Sequence, residues 1–203
     1  MRARRRGSLA TPILFAILVC CAAQGVALAA ADDWDWNYNG VIGRRYMGDK
    51  DWAPFHIYNE IGVEGSWGKM DEPLMFATDF FTSQDSQREG SKTIQSNSYQ
   101  LQLGLRKIWT FSKHWNPYGG AGLTISKGDL EEVSSSGTKR GSDNAYGIWV
   151  GGGIFYRVGQ NFNVGVAVRA CLMDSYRILG VDRGGNSTNI GFVIGWGAER
   201  GEK

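Results

Sequence analysis

After residue 31, apolar side chains recur at every second position, and helical spacing is hard to find. In "IYNEIGVEGSW" (57–67), Ile57, Ile61, Val63 and Trp67 share one face, opposite Tyr58, Glu60, Glu64 and Ser66. In "YQLQLGLRKIW" (99–109), Tyr99, Leu101, Leu103, Leu105 and Trp109 oppose Gln100, Gln102, Gly104 and Arg106. The same alternation runs through "YGIWVGGGIFYRV" (146–158), "FNVGVAVRACL" (162–172) and "NIGFVIGWGAE" (189–199). Less regular versions occupy 36–46, 74–82 and 117–126. The pattern predicts eight strands, most of about ten residues, the length of a tilted strand that crosses a bilayer.

The predicted connections alternate too. Residues 69–73, 111–116 and 159–161 are short, whereas 47–54, 83–92, 127–143 and 179–187 are mostly longer and polar. Short turns at one end and longer loops at the other are the layout of an outer-membrane barrel. The expected fold is therefore all-β: an eight-stranded antiparallel up-and-down transmembrane barrel, with both termini on the periplasmic side.

A soluble lipocalin-like barrel also alternates, with its apolar face inward. Two features favour apolar side chains outward. The second face carries charges of both signs, Glu60, Glu64 and Asp79 with Arg45, Arg106, Arg157 and Arg169. The apolar face carries aromatics near strand ends, at Trp36, Trp67, Tyr99, Trp109, Tyr146, Tyr156 and Trp196. Those are the places of the two interfacial girdles. A spanning helix is excluded for 146–158, which falls short of the roughly 20 apolar residues needed. Its glycines are expected to leave room inside a narrow barrel for large neighbours such as Trp149 and Arg157.

Composition changes the picture at the N-terminus. Arg2, Arg4, Arg5 and Arg6 precede the apolar run "LATPILFAILVCCA", and Ala27-Leu28-Ala29 fits a small-residue cleavage site. Residues 1–29 are expected to be a cleaved secretory signal, with Ala31 as the second choice and an uncleaved anchor as the alternative; 30–203 form the barrel domain. Removing the signal takes basic residues from 22 to 18 against 20 acids, so the mature chain is slightly acidic and nothing points to nucleic acid. Of three cysteines only Cys171 remains, so no intramolecular disulfide is possible.

"GLRKIW", "PYGGAGL" and "WVGGGIFYRVGQNFNVGVAVR" resemble segments of the OmpA-like and opacity-type superfamily of small outer-membrane β-barrel proteins. The resemblance covers essentially the mature chain and implies residence in the outer membrane of a Gram-negative bacterium. It also implies contact with membrane lipids and lipopolysaccharide, and insertion by the outer-membrane assembly machinery. One departure is the end of the chain, where Trp196 is followed by "GAERGEK" instead of closing on an aromatic residue.

An eight-stranded barrel is just wide enough to be filled by side chains. The inward charges must then pair, because an isolated buried charge costs several kcal/mol. A network of Arg45, Glu60, Glu64, Asp79, Arg106, Arg157 and Arg169 is expected to plug the lumen; the alternative is a narrow path for water, ions or small solutes. Catalysis is not expected. The two histidines, His56 and His114, fall in no nucleophile–base–acid set, so a lipid A-modifying enzyme is the weaker reading. No cofactor or metal is expected. The expected role is structural or interactive: envelope integrity, or adhesion and recognition through mobile loops 83–92 and 127–143.

Overall fold

The computed structural model describes residues 34–69, 72–112 and 114–197. The expected signal segment 1–29 and the tail after Gly197 lie outside the described residues. The strands are β1 (Trp34–Met47), β2 (Ile57–Lys69), β3 (Met75–Glu89), β4 (Lys92–Ile108), β5 (Trp115–Ser134), β6 (Gly137–Val158), β7 (Phe162–Met173), β8 (Tyr176–Ile178), β9 (Val181–Arg183) and β10 (Ser187–Gly197). Eight of them close a barrel in the order β1-β10-β7-β6-β5-β4-β3-β2, each antiparallel to its neighbours. The small hairpin β8–β9 stands apart between β7 and β10.

Alternation decides which way the cylinder faces. Outward positions are exposed and apolar: Phe192 is 72% exposed, Leu123 67% and Ile42 64%. Inward positions hold the charged and amide side chains, nearly all of them buried. Only a hydrocarbon surround makes this favourable, because it covers the outer face and a closed sheet leaves no backbone amide unpaired within it.

Aromatics mark the belt's edges. At the short-turn end Trp36 pairs across β1–β2 with Trp67, Trp115 packs edge-on to Tyr156, and Phe162 packs against Trp196. Trp109 is exposed at the same end, with the Lys107 ammonium 5.6 Å from its ring. Tyr99 and Tyr146 face outward nearer the opposite end. Tyr146 to Tyr156 spans ten residues, or about 25 Å of height for a strand tilted ~40°.

Segments 83–92 and 127–143 correct the expectation of mobile loops. They are strand. β3 and β4 stay paired to Glu89↔Lys92, β4 and β5 to Thr93↔Val133, and β5 and β6 to Ser134↔Gly137. Pairing of β3 with β2 stops at Gln84, and pairing of β6 with β7 begins only at Gly147. A four-stranded blade therefore rises from one side of the mouth, about 20 Å beyond the belt at a strand's rise per residue. Backbone pairing needs no apolar side chain, so the strands continue after the greasy alternation ends. Gly90 (φ +60°) and Gly137 (φ +134°) supply the backbone conformations of the two tight turns.

Candidate functional site

The interior is layered. In the middle layer Arg106 on β4 donates from Nη2 to Asp79 Oδ2 on β3 at 2.7 Å, and from Nη1 to Ser66 Oγ on β2 at 3.0 Å. Its guanidinium lies 5.4 Å from the Tyr118 ring centroid and 5.8 Å from that of Trp149. The Tyr118 hydroxyl donates to Glu64 Oε2 at 3.2 Å. Glu64 then meets Arg169 of β7 at 3.5 Å, and Arg169 also donates to Glu60 Oε1 at 3.2 Å while lying over the Phe81 ring. Glu60 accepts further bonds from Ser83 and Asn189. Five of the seven expected residues thus form one connected cluster: Glu60, Glu64, Asp79, Arg106 and Arg169.

The other two occupy separate layers. Arg157, near the short-turn end, donates from Nε to Asn163 Oδ1 at 3.2 Å, and Asn163 continues to Asn37 and Asn39. Arg45, near the opposite end, donates from Nη1 to Ser98 Oγ at 2.8 Å and forms no ion pair within 4 Å among the described residues. Membership of one network is therefore corrected for Arg45: its long side chain is inside the barrel but above the carboxylates.

Above Arg45 the chemistry changes from polar to apolar. Trp52 and Phe55 of the β1–β2 loop, with Tyr176 and Ile178 of β8, pack against Tyr58, Ile94, Leu130, Ala145 and Trp149. The loops are also tied to each other. Trp52 Nε1 donates to Gly184 O, Arg183 Nη1 to Asp51 O, and Gln87 Nε2 to Pro54 O at 2.9 Å. This cap seals the mouth. Two of the cavities in the interior, both beside Glu64 and Arg169, have volumes of about 10 Å³, room for at most about a single water.

The glycines of 146–158 make room for side chains other than the expected Trp149 and Arg157, and room for Trp149 is left by Gly120 on β5. A methyl on Gly120 would come within 2.9 Å of the Trp149 ring, one on Gly153 within 2.8 Å of Tyr118, and one on Gly151 within 3.1 Å of Arg169. Tyr118, Ser66, Ser83 and Asn189 were not singled out from the sequence as network members. Their inward parity, shared with Glu60, Glu64 and Arg169, is the signal that identifies them. The cap residues carry no such signal, because they lie outside the barrel strands.

His56 and His114 sit at opposite ends of the molecule. His114 Nδ1 is 3.2 Å from Arg157 O and its ring stacks on Tyr156, while His56 is exposed beside the capped mouth. Ser66 is bonded to Arg106 and meets neither.

The hairpin of the cap is held by Asp143 on the blade, whose Oδ2 accepts from the Arg177 amide at 2.6 Å and Oδ1 from the Asn144 amide at 2.9 Å. These amide bonds hold its carboxyl below the usual carboxylate range. A depressed native pKa contributes stability that is present above the unfolded pKa and lost as pH falls through the native one. Amide exchange at Arg177 is expected to quicken at pH below the ordinary carboxylate range, and Asp143→Asn is expected to remove that pH dependence. Hydrogen-exchange mass spectrometry of the 174–183 peptide reads both.

Comparison with known structures places this geometry. Ail, the attachment invasion locus protein of Yersinia pestis in complex with the heparin analogue sucrose octasulfate, superposes with a TM-score of 0.58. The match has 10% identity and covers 81% of this chain and 99% of that one. A second Ail structure gives 0.53 at 9% identity, over 82% and 98%. The fold is that of a small outer-membrane β-barrel. Neisserial surface protein A also matches, at a TM-score of 0.49 and 12% identity over 82% of this chain and 96% of that one. Comparison with protein-family models and with curated protein sequences finds no match. At such identities the likeness carries the barrel architecture, and the interior layers and the cap are read from this chain alone.

Proposed function

We propose that the chain is an integral protein of a bacterial outer membrane with a structural and surface-interaction role. The observation that carries this reading is the blade. Strands β3 to β6 leave the membrane belt as a paired sheet and hold a polar surface clear of the bilayer on a rigid frame. A surface held in one conformation binds without the ordering entropy that a mobile loop loses.

The blade's outward face favours one kind of partner. It carries amides and hydroxyls at Gln84, Ser86, Gln95, Asn97, Ser142 and Asn144. Two of its cations are tied to acids, Lys127 to Asp129 at 3.7 Å and Arg140 to Glu131 at 2.6 Å, while Arg88, of the same outward parity, is exposed without an ion pair among the described residues. Ail was crystallised with a sulfated heparin analogue. Here the preponderance of amides and hydroxyls, with two of the cations paired, favours a hydroxyl-rich neutral partner, such as the sugars of lipopolysaccharide or of a host surface, over a polyanion. Lipids around the belt and the outer-membrane assembly machinery complete the set of proposed partners.

Shortening both blade hairpins to the level of Tyr146 is expected to abolish binding of expressing cells to glycan-coated surfaces. The barrel itself should persist, seen as the usual shift between heated and unheated samples on gels. Unchanged binding by the shortened protein would overturn the interaction role. The narrow-pore reading is disfavoured by the cap, the ion-pair layer and the water-sized cavities. Planar-bilayer recordings of the refolded protein are expected to show no discrete conductance steps, and regular steps would restore that reading.

A further inference from the structure

Among the described residues, Arg45 is a buried charge with no ion pair within 4 Å. Its side chain leaves β1, crosses the lumen and reaches Ser98 on β4, whose hydroxyl meets Ser126 Oγ on β5 at 3.2 Å. The residue is 1% exposed. Its Nε and Nη2 make no hydrogen bond of full geometry, and neither does the Tyr176 hydroxyl, which comes down from the cap to within hydrogen-bonding reach of the same guanidinium. Glu60 also lies within electrostatic reach, but its two oxygens are bonded to Arg169, Ser83 and Asn189. Arg106 and Arg169 are the contrast, each bonded directly to a carboxylate.

The unmet groups are of one kind. Two guanidinium N–H groups and a phenol O–H are donors, and the Ser98 and Ser126 hydroxyls can turn to donate. A metal cation has no acidic ligand there, and a neutral water satisfies donors without balancing the charge. A small anion does both. Two cavities one layer below have volumes of about 10 Å³ each, and an occupant on that scale is a single-atom anion.

We propose that Arg45, Tyr176 and the Ser98–Ser126 hydroxyl pair form a binding site for a monovalent halide, chloride being the available one. The bound ion bridges the barrel wall to the cap, because Arg45 belongs to β1 and Tyr176 to β8. The extracellular closure is then anion-dependent, and the site is independent of what the blade binds.

The test uses the full-length protein refolded in detergent, melted at constant ionic strength in sodium chloride, bromide or gluconate. A melting temperature that rises and saturates with chloride and bromide, and not with gluconate, is the expected result. Equal stabilisation by all three salts would overturn the proposal. The halide-specific increment should vanish in Arg45→Met and shrink in Tyr176→Phe; an undiminished increment in Arg45→Met counts against the site. Where Arg45→Met fails to refold, crystals of the unaltered protein grown in bromide decide the matter. An anomalous peak between Arg45 and Tyr176 supports the proposal, and a map without one there refutes it.

Discussion

Replacing Arg106 with methionine is expected to lower the unfolding free energy by about 3–5 kcal/mol. The change removes the only cation bonded to Asp79 among the described residues and leaves that carboxylate, fully buried, beside its cross-strand partner Glu64. Urea titration of the protein refolded into lipid vesicles, followed by tryptophan fluorescence, measures the loss. The double change Asp79→Leu with Arg106→Met should recover most of it, since apolar packing replaces a pair whose attraction roughly repays its own desolvation. A single-variant loss below about 1 kcal/mol, the value of an exposed pair, would mean that water reaches this layer. Arg140→Met is the control: its ion pair with Glu131 is out on the blade in water, and stability is expected to be unchanged.

Phe192→Arg is expected to cost about 2–4 kcal/mol, the penalty for a cation on the lipid face near the bilayer midplane. Phe192 is the most exposed residue of β10 among the large apolar ones and lies midway between Trp196 at the short-turn end and Thr188 at the other. The same substitution at Ser142 has the same outward parity but sits on the blade, and no comparable loss is expected. The pair of variants separates lipid exposure from mere surface exposure. A soluble barrel would tolerate both.

How much of this was legible depends on what alternation encodes. In β2, β4, β6, β7 and β10 it gives strand, face and burial together, because one face meets hydrocarbon and the other a filled lumen. Glu60, Glu64, Arg106, Arg157 and Arg169 could therefore be assigned to the interior from parity alone. Height within the cylinder could not. It is fixed by the stagger between strands, a property of neighbouring pairs such as Arg45↔Asn189 and Glu64↔Asp79, and no single strand carries it. That is why Arg45 joined the carboxylates in the sequence reading and stands above them in the structure.

The blade and the cap failed to show for different reasons. From Ser83 to Gln95 and from Lys127 to Asp143 the outward face meets water and the inner face is covered only at scattered positions such as Ile94 and Leu130, so hydropathy has no period to display although the backbone pairs without a break. The cap is built from Trp52, Phe55, Tyr176 and Ile178, isolated apolar residues in connecting segments whose meeting depends on the closed barrel beneath them. Loop composition alone identifies neither.

Closing a sheet into a cylinder removes its edges, but where four strands outgrow the other four, two margins return, the second partly covered by β8. One runs along β3 past Gln84, the other along β6 before Tyr146, whose carbonyl is met by the Asp174 amide. Open margins invite strands from neighbouring molecules, and in a crowded membrane the neighbours are close. Here Arg88 and Glu89 stand on one margin and Lys139 and Arg140 on the other, charges that a docking strand would have to strip of water. Copies packed side by side are thereby kept from zipping together through the very part that projects furthest.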